Sequence, residues 1–407
     1  MKDIENGVCG PKGFRAGGIL CGIKASSKKR DLALIYSEKP CAAAAVFTTN
    51  KVKAACVLVS QEHVAGGVLR AIIANSGNAN ACTGEAGLAA ARKMAELAAD
   101  LFAISPKQVA VASTGVIGVP LPIGAIESSI EALGNSLQGD GSGHAAALEA
   151  IMTTDLRKKE GAVEIEIDGK PVRIGGMVKG SGMIHPNMAT MLCFITSDAA
   201  ISREALDQCL RQAVGRSFNR LSVDGDTSTN DSVIIMANGE AGNSPISAGS
   251  PAAEIFAGAL ESLCVKLTRA LARDGEGATK LVTVTVSGAV DEKNAGILAR
   301  AVVSSSLVKA ACFGADANWG RILCAMGYSE ASFNPGYVDV SFASAGEEIT
   351  VCRNGASTPF SEEDAKRILK REEIEILIKA GKGQGSATAW GCDLTYDYVK
   401  INGDYRS

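Results

Sequence analysis

Hydrophobic and polar positions change their period along the first half of the chain, and each change marks a predicted element. Four apolar residues at 71–74 predict a short strand with a turn-rich exit. Apolar residues then recur at helical spacing over 88–102, until Ser105-Pro106 stops the pattern. Alternation resumes at Val109 and predicts a strand that ends at Thr114-Gly115, a common position for functional groups.

Strands and helices keep alternating through the rest of the chain. The pattern predicts a hairpin turning at Asp168-Gly169, a helix over 201–218, a strand over 233–236, an amphipathic helix over 256–271, a strand over 281–286, a helix over 297–309, a hairpin pairing 338–342 with 349–351, a helix opened by Ser361, and a strand over 374–378. The last hundred residues differ from the rest, which predicts a smaller C-terminal α/β domain that begins near residue 285.

Composition and charge narrow the class of protein. The 407 residues carry a net charge of -3 with 21% charged residues, so no basic field attracts nucleic acid or a membrane surface. The chain has no apolar run of 18 residues and no signal-like N-terminus, so we expect a cytoplasmic protein. Its twelve cysteines include no C-x-x-C pair and only three histidines accompany them, which favours buried free thiols over a metal site.

The segment 179–192, Lys-Gly-Ser-Gly-Met-Ile-His-Pro-Asn-Met-Ala-Thr-Met-Leu, places a hydroxyl after a small residue in a glycine-rich stretch. Thr190 can attack the carbonyl carbon of Ala189, form an ester by an N-to-O acyl shift, and become a new N-terminus after hydrolysis. Its amine would then lie beside its hydroxyl and act as its base. The alternative is a buried strand over 188–196 in which Thr190 only packs. His185 is a second candidate base, but the sequence places no carboxylate to orient it.

Three motifs and the chain end together resemble the ornithine acetyltransferase (glutamate N-acetyltransferase) family. The motifs are Asn75-Ser76-Gly77-Asn78-Ala79-Asn80-Ala81-Cys82-Thr83-Gly84, the segment 179–192, and Asp316 to Ile322. Their order and length cover essentially the whole chain. The resemblance implies an α/β (α+β) fold, an αββα-type sandwich related to the self-cleaving N-terminal-nucleophile amidases. It also implies cleavage between Ala189 and Thr190. The expected division is an α chain over 1–189, the start of a β chain over 190–284 with the nucleophile, and the smaller domain over 285–407.

The same resemblance implies roles for individual residues. Thr190 is the expected nucleophile, and Thr114 and Gly115 match the family's oxyanion hole. From the residues alone, Thr114-Gly115 could equally be an ordinary turn, Lys179 a solvated lysine and Glu276 a surface residue at a helix end. The resemblance implies that Lys179 and Glu276 bind substrate. Lys179 would bind the α-carboxylate, and Glu276 would bind the ornithine ammonium. The resemblance adds three further positions, Thr153 or Thr154, Asn402 and Ser407, although the family pattern has Ala at Gly403 and often Thr at Ser407.

The implied activity is transfer of acetyl from N-acetyl-L-ornithine to L-glutamate, in a ping-pong cycle through an acetyl ester on Thr190, for arginine biosynthesis. No metal or organic cofactor is expected, and use of acetyl-CoA as a second donor stays open. The implied assembly is a heterotetramer of two α and two β chains. One alternative is a self-cleaving N-terminal-nucleophile aminopeptidase or amidase, which fold alone does not separate from the transferase. Another is a non-catalytic scaffold.

Three weaker patterns carry no function. Asp224, Asp226 and Asp231 have calcium-like spacing, but Thr229 stands where an EF-hand loop needs glycine, so we interpret the run as a polar loop that shapes the site or as a simple turn. The glycine-rich stretch 381–386 lacks the spacing of a phosphate-binding loop. Trp319 and Trp390 are expected to pack.

Overall fold

Two β-sheets, each covered by helices, organise the chain. The computed structural model describes residues 1–24, 28–184 and 191–404. The first sheet contains β1 (Lys2–Ile4), β2 (Phe14–Ile19), β3 (Leu32–Phe47), β4 (Val68–Asn78), β5 (Val109–Val116), β6 (Glu160–Ile167), β7 (Lys170–Lys179), β8 (Leu192–Ser197) and β10 (Ser232–Ala237). The second contains β9 (Leu221–Ser222), β11 (Leu281–Ala289), β12 (Asp339–Ser344), β13 (Glu347–Arg353), β14 (Ala356–Ser357), β15 (Glu373–Lys379) and β16 (Gly385–Cys392).

The first sheet is mixed, with strand order β1-β6-β7-β8-β10-β3-β4-β5 and β2 beside β3. The pairs β8–β10 and β4–β5 are parallel, and the other pairs are antiparallel. The hairpin between β6 and β7 turns at Asp168-Gly169 as predicted. Both turn residues have positive φ, 51° and 71°, which suits the tight two-residue turn that matches strand twist.

Helices cover both faces of this sheet. On one face, α1 (Ala55–Ala65), α2 (Gly84–Asp100) and α3 (Ile123–Asn135) pack on β3 to β5, and α5 (Arg203–Arg216) and α6 (Pro251–Arg273) pack on β6 to β8 and β10. Alternate strand residues form a separate core on the other face, under α4 (Gly141–Ile151) and β2. Burial of both faces explains why strands such as Ser232–Ala237 are almost continuously apolar.

The second sheet has strand order β14-β13-β12-β15-β11-β16-β9. Its apolar face is covered by α7 (Glu292–Ser304), α8 (Ser306–Phe313), α9 (Trp319–Gly327) and α10 (Glu362–Leu369), and the chain continues into α11 (Tyr396–Asp404). The single helix predicted over 297–309 is wrong. The helix breaks at Ser305, whose side chain accepts a hydrogen bond from Val308 N and so starts a new helix.

Helix α6 joins the two halves, because it packs on β6 and β7 and also on β16. The predicted α/β sandwich is confirmed. The second sheet begins in sequence with the two-residue strand β9, and β11 starts at Leu281, so the expected division at 284/285 falls inside β11. Trp390 is buried and Trp319 packs against the second core, as expected.

All twelve cysteines belong to the described residues and are free thiols, nine of them buried. Cys82 and Cys324 are exposed. In the described ranges, no single helix is long and apolar enough to cross a membrane. Helices α7 and α8 reach that length and composition only when joined across a bend of 59°.

Candidate functional site

A cavity of about 310 Å³ lies where β5 and β7 end close to each other. Seven of the predicted site residues line it: Thr114, Gly115, Thr153, Thr154, Lys179, Glu276 and Asn402. They come from two strands, the loop after α4, the loop after α6, and α11. The structure therefore brings together residues that are up to 288 positions apart, from Thr114 to Asn402 (402 − 114). Ala189, Thr190 and Ser407 lie outside the described residues, as does His185.

Thr114 and Gly115 belong to β5 itself, before the loop that leads to α3. Thr114 is buried. Gly115 has φ +136°, and a Cβ atom there would overlap the backbone of Gly77 and Asn78 on the neighbouring strand β4. Only glycine fits this close approach of two strands. The pair is thus held by the sheet and is not an ordinary strand-to-helix turn.

Lys179 is the last residue of β7 and is only 3% exposed, so it is not a solvated loop lysine. Its Nζ donates a hydrogen bond to Thr114 Oγ1 over 3.2 Å. Burial lowers the pKa of the Lys179 ammonium, while the nearby carboxylates of Asp155, Asp231 and Glu276 act to raise it. A buried ammonium at the cavity wall is a strong partner for a carboxylate.

Behind the cavity wall lies a buried charge network that sequence reasoning missed. Lys159 is fully buried, and its Nζ lies 2.6 Å from Asp155 Oδ1 and 2.6 Å from Asp274 Oδ2. Asp155 also accepts hydrogen bonds from the backbone N–H groups of Thr153 (3.0 Å) and Gly180 (2.7 Å). Asp155 therefore fixes the threonine loop and the residue after Lys179 at once.

The other acid of this network orders the loops on its own side. Asp274 Oδ2 accepts hydrogen bonds from Leu156 N and Arg157 N, and its carbonyl oxygen accepts one from the Ser181 hydroxyl over 2.6 Å. Glu276 N in turn donates to Ser181 O over 2.9 Å. Through Asp155 and Asp274, Lys159 thus links three parts of the site. These are the loop of Thr153-Thr154, the end of β7 at Lys179, and the loop of Glu276.

The ionisation of Asp155 follows from these contacts. Burial alone would raise the pKa of its carboxyl group, but the ammonium groups of Lys179 and Lys159 and the Gly180 N–H together lower it to about 2. One feature of the sequence pointed to Asp155, namely its position directly after Thr153-Thr154. No feature pointed to Lys159, which stands in the run Arg157-Lys158-Lys159 beside exposed basic residues.

Glu276 and Asn402 form another part of the cavity wall. Glu276 is half-buried in the loop after α6, and its carboxylate packs against the backbone of Gly182, where a Cβ atom would overlap it. Asn402 Nδ2 donates a hydrogen bond to Glu276 Oε2 over 3.0 Å. Thr153 and Thr154 both line the cavity, so the structure leaves both as candidates.

The loop 224–231 contributes a third wall through Ser228, Thr229 and Asn230. Asn230 is buried, and its Nδ2 donates to Ala79 O (2.7 Å) and Ser113 O (2.8 Å), which ties the loop to the ends of β4 and β5. The loop shapes the cavity, the first of the two interpretations that the sequence left open. Across the described part of the chain, no group of three His, Cys, Asp or Glu side chains could hold a metal ion.

The cavity offers a buried ammonium, a hydroxyl and glycine pair, and a carboxylate. The fold and this cavity define an α/β protein whose site is suited to acyl chemistry on a small charged molecule. Residues 15–407 match the ArgJ family. The chain belongs to the ArgJ family, which confirms the resemblance seen in the sequence.

Several relatives named ArgJ match this chain over nearly the full length of both proteins. The chain is 52% identical over 408 residues to the arginine biosynthesis bifunctional protein ArgJ of Symbiobacterium thermophilum, covering 100% of both chains. It is 47% identical over 405 residues to the protein of that name from Bacillus subtilis, covering 99% of this chain and 97% of that one.

Two solved structures are also similar. Crystalline ArgJ from Bacillus halodurans is 45% identical, with a TM-score of 0.49, over 52% of this chain and 98% of that one. The ornithine acetyltransferase of Mycobacterium tuberculosis, crystallised with ornithine, is 41% identical, with a TM-score of 0.42, over 46% of this chain and 96% of that one.

Proposed function

We propose that this chain is a glutamate N-acetyltransferase of arginine biosynthesis, which moves the acetyl group of N-acetyl-L-ornithine to L-glutamate. One observation carries the proposal beyond family membership: a single small cavity has Lys179 and Glu276 on its walls together with the Thr114-Gly115 pair. A cation suits the α-carboxylate that both substrates share, and a carboxylate suits the side-chain ammonium of ornithine. The small volume favours an amino acid over a peptide.

In the proposed mechanism the chain first cuts itself between Ala189 and Thr190. The Thr190 hydroxyl attacks the Ala189 carbonyl carbon, the ester replaces the peptide bond, and water hydrolyses the ester. The products are an α chain of residues 1–189 and a β chain of residues 190–407. Thr190 then has a free α-amine that can accept the hydroxyl proton in the acetyl-transfer reaction.

Acetyl transfer follows in two half-reactions. The Thr190 hydroxyl attacks the acetyl carbonyl, and Thr114 and Gly115 N–H stabilise the oxyanion of the tetrahedral intermediate. Collapse breaks the amide bond, and ornithine leaves with the proton that the base had taken. The amine of glutamate then attacks the acetyl ester and restores the Thr190 hydroxyl. Lys179 holds the α-carboxylate in both steps, with Thr153, Thr154, Asn402 and Ser407 completing the substrate contacts.

The proposal includes the remaining expectations from the sequence. Acetyl-CoA, which the sequence left open as a second acetyl donor for glutamate, is included in the proposal because the relatives' names contain the word bifunctional. No metal or organic cofactor takes part. The enzyme assembles as a heterotetramer of two α and two β chains, and it works in the cytoplasm, where its free thiols would stay reduced.

Intact-mass measurement and acetyl-transfer assays test the proposal. The wild-type enzyme should show two chains and should make N-acetylglutamate from N-acetylornithine and glutamate. A Thr190→Ala variant should keep the full-length mass and transfer nothing, and two chains from that variant would disprove the cleavage site. A parallel assay replaces N-acetylornithine with acetyl-CoA. Light scattering of the purified enzyme measures the assembly.

The same samples separate the two alternatives. An amidase would release acetate from N-acetylornithine at the same rate with and without glutamate. A scaffold would give an uncut wild-type chain and no acetyl label on Thr190. Either result would overturn the transferase assignment.

A further inference from the structure

The loop 224–231 makes hydrogen bonds on both sides of the predicted cleavage site. On the N-terminal side, the Asp224 carboxylate accepts hydrogen bonds from Met183 N (2.5 Å) and Ile184 N (2.8 Å). Val223 N donates to Ile184 O over 2.6 Å, which adds a backbone contact at the same point. On the C-terminal side, Asp231 Oδ1 accepts a hydrogen bond from Met191 N over 3.0 Å.

The side chains at the two flanks are anchored as well. Ile184 and Met191 are 0% and 1% exposed and belong to the same hydrophobic core. Ser232 N donates to Met191 O over 3.1 Å, at the start of β10. The two fixed flanks are therefore seven positions apart, and both are held by residues 223–232. Contacts that hold both ends of a chain segment offset the entropic cost of bringing those ends together.

Asp231 holds the backbone of Met191, the residue that follows Thr190 in the chain. Its carboxylate is completely buried, and within the described residues its Oδ2 has no hydrogen-bond partner. A buried carboxylate oxygen without a partner is costly unless a nearby group uses it.

We infer that Asp224 and Asp231 form a clamp that fixes both flanks of the Ala189-Thr190 bond, and that Asp231 keeps the Thr190 nucleophile in position after the cut. This inference rests on the proposed function. Asp224 and Asp231 are positioning residues: they act through the backbone amides of Met183, Ile184 and Met191. The cut leaves Asp224 bound to the end of the α chain and Asp231 bound to the start of the β chain, so the loop also holds the two products together.

Matched carboxylate variants test the clamp. Asp231→Ala removes the acceptor of Met191 N, and Asp231→Asn keeps the size of the side chain but replaces one carboxyl oxygen with an NH₂ group. Asp224→Asn tests the other flank. Asp198→Asn is the control, because Asp198 is also fully buried and also accepts two backbone N–H groups, from Lys12 (3.1 Å) and Arg173 (2.7 Å). Asp198 follows the end of β8, whereas Asp231 precedes the start of the parallel strand β10, so six strand residues, about 20 Å, separate the two carboxylates.

Two measurements are made on every variant. The fraction of cut chain is followed by intact mass over time, and kcat and KM for N-acetylornithine are measured per cut chain. We expect Asp231→Ala to slow cleavage at least tenfold, and the cut fraction of Asp231→Asn to show a kcat at least tenfold lower with KM within twofold of wild type. We expect Asp224→Asn to slow cleavage while leaving kcat of the cut enzyme within threefold. Asp198→Asn should cut and react like wild type.

The outcomes separate the possible failures. Wild-type rates of cutting and of kcat in both Asp231 variants would overturn the inference while leaving the proposed function intact. Equal slowing in Asp198→Asn would also overturn it, because the effect would then be one of general stability. If Asp231→Ala does not fold, as judged by thermal unfolding, the two Asn variants decide. A wild-type chain that never cuts would disprove the proposed function itself.

Discussion

Lys179 Nζ donates a hydrogen bond to Thr114 Oγ1, so the hydroxyl of Thr114 is an acceptor in that contact. An ammonium group has no lone pair and cannot accept in return. The hydroxyl proton of Thr114 is therefore free to point to another acceptor. An oxyanion hole needs a hydroxyl that donates, and Lys179 does not take up this proton. The same lysine would thus serve substrate binding and oxyanion stabilisation.

A Lys179→Met variant should weaken the binding of both substrates. Methionine fills the buried site but cannot bind a carboxylate, and the loss of a charged hydrogen bond costs about 1.5 to 3 kcal/mol. We expect KM to rise about 10- to 100-fold for N-acetylornithine and for glutamate alike. Steady-state kinetics with each substrate varied in turn measures this. A rise for only one substrate would contradict a shared carboxylate site.

A Glu276→Gln variant should separate the two substrates. The amide can still accept the hydrogen bond from Asn402 Nδ2, so the local structure is kept. It removes the attraction for the ornithine ammonium and also removes the repulsion of the glutamate side-chain carboxylate. We expect KM for N-acetylornithine to rise about five- to tenfold, while KM for glutamate stays the same or falls. Parallel increases in the KM values for N-acetylornithine and glutamate would show that Glu276 does not interact with the substrate side chain.

The family resemblance located much of the candidate site, because the residues alone left Thr114-Gly115, Lys179 and Glu276 open to structural interpretations; the local pattern only placed some of them at the ends of elements. Thr114-Gly115 ends a strand whose alternation is clear, and Glu276 follows a long helix that ends at Arg273. Lys159 could not be found in this way. It stands beside the exposed Lys158, and only the tertiary placement of Asp155 and Asp274 gives it two buried partners.

The fold was predictable to a similar extent. Periodicity predicted many of the helices and strands, although no prediction covered the long strand β3 or the helices α1, α3 and α4. It also could not show that a short strand at Leu221–Ser222 crosses over to join the second sheet. Nor could it show the break at Ser305, because the apolar spacing continues through it. The pairing of Leu221–Ser222 depends on contacts that are distant in sequence, about which periodicity carries no information. The break at Ser305 depends on a local cap, the hydrogen bond from Val308 N to the Ser305 side chain.

A Lys159→Met variant should lose stability. Removing the lysine leaves Asp274 buried without the cation of this pair and leaves Asp155 with only the ammonium of Lys179 nearby. Breaking a buried ion pair from one side costs about 3 to 5 kcal/mol. Urea unfolding followed by circular dichroism measures the change. Lys158→Met is the matched control, since that lysine is exposed and one position away. Equal stability in the two variants would rule out a structural role for the network.

A Gly115→Ala variant should damage activity and stability together. The added Cβ would overlap the backbone of β4, and the positive φ would be strained. We expect kcat to fall about 100-fold, the effect of losing one oxyanion donor. Gly118→Ala is the control, because Gly118 also has positive φ but open space around its Cβ position. It should lose about 1 kcal/mol of stability and keep its kcat. A normal kcat for Gly115→Ala would show that this glycine is not part of the oxyanion hole.

Acid should weaken the fold through Asp155. Its pKa in the folded protein is about 2, below the ordinary value of 3.8, so the carboxylate stabilises the folded state above pH 4 and that contribution is lost as pH falls from 4 towards 2. The difference corresponds to about 2 kcal/mol. An Asp155→Asn variant lacks this titration. We therefore expect the free energy of unfolding of the wild-type protein to fall more steeply between pH 4 and 2 than that of the variant. Urea unfolding at each pH measures both slopes, and parallel slopes would mean that Lys159 and Lys179 do not hold the Asp155 carboxyl group ionised.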